Sequence, residues 1–123
     1  MHLYLDTSTL QNMVKGQTFS KFKDATVKQC HLESLWLLRK KGGAHKGALF
    51  LNLISVQPEY RGQGYGQDAL KRICCYADVN SVSILLIPSG SYGSSLPRLV
   101  RWYESFGFKG YCNNSFMMIR KVK

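Results

Sequence analysis

Three glycines at alternate positions stand behind an arginine in the run Val56-Gln57-Pro58-Glu59-Tyr60-Arg61-Gly62-Gln63-Gly64-Tyr65-Gly66. Glycine turns through backbone conformations that other residues resist, so several N–H groups can converge on one small volume. Helical periodicity begins immediately afterwards, and a helix start adds unpaired N–H groups and the positive end of its dipole. The chemistry on offer is the binding of a phosphate or pyrophosphate. A plain turn between strand and helix is the simpler reading, but three glycines and an arginine exceed what a turn needs. No Gly-Lys-Ser/Thr follows, which excludes a P-loop ATPase. A dinucleotide-binding fold places an acid near the end of its second strand, where this chain has Ile87-Pro88-Ser89-Gly90.

The elements that must hold this loop are legible on both sides of it. Leu32 to Arg39 reads as a strand, Lys40-Lys41-Gly42-Gly43 as a turn and Gly47 to Val56 as a second strand, together an antiparallel hairpin. Pro58 ends the ladder. From Gly66 the period changes: Ala69, Leu70, Ile73, Cys74 and Ala77 share one helix face, with Gln67, Asp68, Lys71 and Arg72 largely on the other. Asp78 and Asn80 supply the stop. The run Val82 to Ile87 is a strand covered on both faces, followed by a Ser/Gly loop from Ser89 to Ser95. A second helix begins near Ser95 or Leu96, with Leu96, Leu99, Val100, Tyr103 and Phe106 as its inner stripe, and Gly107 ends it. Phe108 to Cys112 and Phe116 to Ile119 read as strands joined through Asn113-Asn114. Before residue 30 the pattern is weak: Leu3-Tyr4-Leu5 suggests a short strand, Thr7 to Thr9 a turn or helix start, and Thr18 to Lys28 helix or irregular chain.

Composition sets the bounds. The 123 residues, 45% of them hydrophobic, suit a single α/β domain spanning residues 1–123. No apolar run approaches a membrane span, and the first residues do not resemble a secretory signal. Cys30, Cys74, Cys75 and Cys112 form neither a CxxC pair nor a zinc-type cluster, so reduced thiols in a cytoplasm are expected and a metal site is not. Seventeen basic and seven acidic side chains give a net charge of +10, which favours polyanionic partners such as a phosphorylated cofactor or nucleic acid. Part of that charge fits a basic tail (Arg120, Lys121, Lys123) or simple solubility.

Over about Leu49 to Lys121 the sequence resembles the GCN5-related N-acetyltransferases (GNAT). Arg61-Gly62-Gln63-Gly64-Tyr65-Gly66 fits that family's Arg/Gln-x-x-Gly-x-Gly/Ala loop, and Val56-x-Pro58-x-Tyr60 is similar to its lead-in. Trp102-Tyr103-Glu104-Ser105-Phe106-Gly107-Phe108 resembles its aromatic-Tyr-x-x-x-Gly-Phe segment. The resemblance implies a compact mixed-sheet α/β fold that binds acyl-coenzyme A, here with a short N-terminal region. It implies that Arg61, Gly62, Gln63, Gly64, Tyr65 and Gly66 hold the pyrophosphate. Ile54, Ser55 and Val56, opposite Leu86 to Pro88, would border the splayed strands where the pantetheine arm enters. Arg72 could add charge near the phosphates and equally fits a solvated surface.

For the reaction, the resemblance implies that Tyr103 protonates the departing thiolate, although its place on the apolar stripe also suits a core aromatic. Trp102 and Phe106 read as packing residues. The strand before the loop carries no acid, so Glu33 on the preceding strand is the candidate general base. Ser55 and Asn52 could orient a water, and His31 and His45 are further candidates; ordinary hairpin or surface roles compete for each. Many family members have Asn where this chain has Leu96, which leaves Ser94 or Ser95, with Ser95 preferred, to contact the cofactor. Cys74 and Cys75 are poor nucleophiles and Cys112 reads as structural.

The expected activity is direct transfer of acetyl from acetyl-CoA to an amine on a small molecule, a protein or an aminoacyl-tRNA. A catalytically degenerate module that binds nucleic acid or protein is the alternative. A homodimer is compatible with an exposed edge in the late strands.

Overall fold

The computed structural model describes residues 7–41, 47–88, 96–110 and 117–121. The expected hairpin is its frame. Strand β1 (Leu32–Arg39) pairs antiparallel with β2 (Leu49–Val56), and Lys40 N–H donates to the Ala48 carbonyl at 2.8 Å where the ladder closes. A 3-10 turn at Pro58–Tyr60 then leads through the glycines into helix α3 (Tyr65–Val79). After it come β3 (Ile84–Leu86), helix α4 (Leu96–Glu104), β4 (Lys109–Gly110) and β5 (Met118–Arg120). Sheet order is β1-β2-β3-β5-β4; β2 and β3 are parallel and the other pairs antiparallel. The result is a mixed α/β fold, a central mixed sheet with flanking helices.

Two helices precede the hairpin, α1 (Thr7–Val14) and α2 (Phe19–Gln29). Thr18 caps α2 by accepting the Lys21 N–H at 3.2 Å. The α2 stripe is hard to read in sequence because its buried residues are Phe22 and Thr26, one aromatic and one polar. Thr26 is satisfied within the helix, its hydroxyl donating to the Phe22 carbonyl at 2.9 Å. The strand expected at Leu3 to Leu5 and the loop expected from Ser89 to Ser95 lie outside the described residues, as do His45, Cys112 and Asn113-Asn114.

The core forms where the hairpin and β3 meet the helices. Leu37, Leu49, Leu51, Ile84 and Leu86 pack with Leu70, Ile73 and Ala77 of α3, Phe22 of α2, and Leu10 and Val14 of α1. Phe22 stacks on Tyr76 with ring centroids 4.2 Å apart, which fixes α2 over α3. Val100, Trp102 and Tyr103 bring α4 against the same cluster, and Phe106 joins them just past its end.

Three charged positions differ from expectation. Asp68 and Arg72 are buried, not on an outer face of α3. They pair with each other (Nε–Oδ2 3.2 Å) and meet the end of α2, where Cys30 Sγ donates to Asp68 Oδ2 at 3.4 Å and Arg72 donates to Gln29. Because α2 covers that side of α3, an i, i+4 ion pair takes the place of apolar residues. Arg120 is likewise no part of a loose tail: it is 5% exposed, forks onto both oxygens of Asp78 (2.7 and 3.0 Å) and donates Nε–H to the Phe106 carbonyl at 2.9 Å. Asn80 stops α3 as expected, its side chain donating to the Tyr76 carbonyl at 2.8 Å, whereas Asp78 serves Arg120.

Candidate active site

The glycine run does its work through backbone shape. Gly62 and Gly64 have φ of +78° and +88°, the left-handed region that other residues enter at a cost, and Gly64 is the N-cap of α3. Gly66 is already helical, and a Cβ there would sit 3.7 Å from Val56 Cγ2, an ordinary contact. The first helical bond closes from Asp68 N–H to the Gly64 carbonyl at 3.0 Å. Helix geometry leaves the N–H groups of the preceding turn without intrahelical acceptors, directed out of the helix start. A helix start of this shape suits an anion.

Aromatic rings brace the loop from outside. Tyr60 stacks on His31 with centroids 3.9 Å apart, and Tyr65 meets His31 edge-on at 4.7 Å. Tyr65 also packs against the small cluster of Cys30, Leu32 and Ala69. His31 has φ +50° between α2 and β1, and its carbonyl accepts the Gln57 N–H at 2.9 Å. Thus the end of α2, the start of β1 and the glycine loop are joined. The sequence holds a weak sign of this, since His31 lies in the short break between helix and strand.

Immediately before the loop, β2 is irregular in two ways. Its ladder to β3 comprises Leu49↔Ile84, Phe50↔Leu85 and Leu51↔Leu86, yet β2 continues to Val56. Among the described residues, 53–56 are therefore paired on the β1 side alone. The β1 register slips between Trp36↔Leu53 and Leu37↔Leu51, leaving Asn52 as an extra residue one position past the last β2–β3 pair. Such a bulge bends and twists the strand that carries it. A polar residue inside the apolar run Leu49 to Val56 was the available sequence signal.

A second slip, between Leu32↔Val56 and Ser34↔Ser55, leaves Glu33 as the extra residue of β1. Ser55 Oγ donates to Glu33 Oε2 at 3.3 Å, and the Arg61 guanidinium lies 3.6 Å from the same oxygen. Arg61 Nε–H also donates to the Val56 carbonyl at 3.0 Å. Four expected site residues thus meet beside the part of β2 that, among the described residues, pairs with β1 alone. Ile54 anchors that segment by packing on both the main core and the Cys30 cluster.

Tyr103 belongs to a different group of contacts. Its ring lies 5.1 Å from Trp102 and 5.7 Å from Phe108, and burial pushes its phenol above the ordinary range. Among the described residues, no hydrogen bond, ion pair or ring contact joins it to Glu33, Ser55 or Arg61. Trp102 and Phe106 pack as expected, with centroids 5.6 Å apart. Arg72 is committed to Asp68 and Gln29 and does not extend the anion loop. Ser94 and Ser95 fall outside the described residues.

A cavity of about 710 Å³ runs along α3 from Gln67, one residue past the glycines, to Asp78; Leu10, Lys71, Trp102 and Arg120 also line it. Its near end adjoins the loop.

The family model for the acetyltransferase (GNAT) domain matches residues 27–110, from the end of α2 through β4. The chain belongs to the GNAT acetyltransferases. In this acetyltransferase-family chain the matched region contains the glycine loop, both β bulges and Tyr103. A crystal structure of PH1933 from Pyrococcus horikoshii OT3 is similar over 99% of this chain and 96% of that one, with 15% sequence identity and a TM-score of 0.49. No curated protein matches the sequence.

Proposed function

We propose that this member of the family transfers an acyl group, chiefly acetyl, from acyl-coenzyme A to an amine. The observation that carries the reading is the pairing of an anion-binding glycine loop with a β2 segment that runs past its β3 partner. Polar backbone that has a partner strand on one side only, among the described residues, suits an extended amide-bearing ligand, and the adjacent helix start suits a pyrophosphate. Gly62, Gln63, Gly64, Tyr65 and Gly66 would hold the phosphates through backbone N–H groups, with Arg61 adding charge. Ile54, Ser55 and Val56 would flank the arm, and Ser95 would contact it as well. The cavity beginning at Gln67 falls within the size range of ligand pockets and offers room for the nucleotide.

Acyl-coenzyme A supplies an activated thioester. The chain's own part is positioning and proton management. Glu33, oriented by Ser55, is the base that takes a proton from the amine, and the backbone beside the Asn52 bulge orients the acyl carbonyl. Tyr103 donates its proton to the leaving sulfur. Its burial favours the protonated phenol, which supports the acid role.

One domain, residues 1–123, carries the reaction. The acceptor amine belongs to a small molecule, a protein or an aminoacyl-tRNA, and the +10 charge supports an anionic carrier. Buried thiols at Cys30, Cys74 and Cys75 fit a reducing cytoplasm. No helix among the described residues is long and apolar enough to cross a membrane.

The test is titration with acetyl-CoA, followed by thiol release across a panel of amines, peptides and aminoacyl-tRNA. Saturable binding lost on Gly64→Val and amine-dependent thiol release are expected. Binding without any transfer would leave the degenerate module; absence of binding would remove the reading.

A further inference from the structure

The outer edge of β1 has features that the acyl-transfer reading does not use. β1 stands at the end of the described sheet. Trp36 and Leu38 are 61% and 58% exposed there, among the most exposed large apolar side chains of the fold. They are two residues apart, the period at which strand side chains return to one face. Leu38 is also the open end of an apolar row across four strands, Leu38↔Phe50↔Leu85↔Ile119, whose far members Leu85 and Ile119 are buried. Arg39, Lys40 and Lys41 follow directly, and among the described residues no acidic side chain pairs with them.

We infer that β1 is a docking strand for an extended, acidic peptide segment of a partner protein. An edge strand presents backbone donors and acceptors to an added strand, and alternate side chains of that strand would lie beside Trp36 and Leu38. Carboxylates at one end of the segment would meet Arg39, Lys40 and Lys41. Charge decides against a second copy of this chain, which would bring +10 against +10. Single-stranded RNA could stack a base on Trp36, but a nucleotide chain cannot continue a β ladder and gains little from Leu38. The β1 edge, which pairs with no further strand among the described residues, the two-residue spacing and the basic end together select a peptide.

The probe is a fluorescent peptide, Asp-Asp-Val-Thr-Val-Thr-Val-Asp-Asp, titrated by anisotropy against the full chain. Two further peptides are N-methylated at alternate residues, one for each backbone parity, so hydrogen bonding is tested without altering the protein. Binding is expected for the parent peptide, with loss of about tenfold or more in affinity for W36S/L38T and for at least one N-methylated peptide. Circular dichroism and acetyl-CoA binding of W36S/L38T confirm its fold. Added salt weakens binding further. The inference is overturned if the parent peptide does not bind, if W36S/L38T binds it equally, or if both N-methylated peptides bind like the parent. It is also overturned if oligouridylate binds through Trp36 and Leu38 in the peptide's place, or if W36S/L38T abolishes a dimer.

Discussion

Ser55 donates its hydroxyl to Glu33 across the ladder at 3.3 Å, at a level where β1 carries one residue more than β2. At that slip the Glu33 carboxylate, still more than half exposed, meets the strand before the glycine loop. Glu33→Gln is expected to lower turnover with amine acceptors by about tenfold or more, with acetyl-CoA binding retained. Ser55→Ala should do the same to a smaller extent. Both side chains of the Arg61–Glu33 pair are more than half exposed, so the loss of folding stability should stay below about 1 kcal/mol. Steady-state kinetics beside a urea melt separate the two effects; equal turnover for Glu33→Gln removes Glu33 from the mechanism.

Tyr103→Phe removes one hydroxyl from a half-buried ring and leaves its packing on Trp102 and Phe108. Acetyl transfer should fall by about a hundredfold or more, with little change in coenzyme affinity. The raised phenol pKa has a direction of its own. The proton stays on the folded protein past the ordinary titration near 10, so the wild type should keep its acid catalyst to higher pH than a solvated tyrosine would allow. A pH profile of turnover shows this as an alkaline limb displaced upward.

The three glycines should not respond alike to alanine. At Gly62 and Gly64 the space is open, so the cost is backbone strain, about 1 kcal/mol each, together with weakened coenzyme binding. Gly66→Ala meets only an ordinary contact with Val56 and should be nearly neutral. Chemical denaturation and coenzyme titration of the three variants give the ranking directly.

Cys30 links stability to pH. Burial first, then the neighbouring Asp68 carboxylate, push its thiol from 9.0 to about 12. The fold keeps the proton while the unfolded chain loses it. The stabilisation is complete below pH 9 and is lost progressively as pH rises toward 12. Cys30→Ala should flatten this part of the melting-temperature profile; an identical alkaline decline in both proteins would contradict it.

Arg120→Ala leaves Asp78 without its fork and opens the Phe106 carbonyl, a loss of about 3 kcal/mol. Arg120→Lys should recover only part of that, since an ammonium cannot reproduce two parallel bonds and a third donor. Thermal melts of the two variants test the order.

What could be read in advance follows from how each feature is written in the chain. The hairpin, α3 and α4 announce themselves because Leu37, Leu51, Leu70, Ile73 and Val100 repeat at strand or helix spacing. Helix α2 does not, because Thr26 occupies a core position and closes its own hydrogen bond. Asp68 and Arg72 look like surface residues for the same reason: burial here depends on α2, whose position no local pattern gives. At the candidate site, Arg61 to Gly66 carry a type-and-spacing signal. The Asn52 and Glu33 bulges are relations between two strands, so each sequence hints at them only weakly.

Arg72 and Arg120 also change how the molecule meets its surroundings. Each guanidinium is buried against one carboxylate, Asp68 or Asp78, so two of the seventeen basic and two of the seven acidic side chains cancel one another locally. The net charge does not change, but among the remaining side chains of the sequence cations outnumber acids by about three to one, compared with about two and a half in the composition. A solvent-facing shell so poor in its own counterions must recruit them from the medium. Colloidal behaviour and retention on cation exchangers should therefore follow that shell more closely than the formal composition.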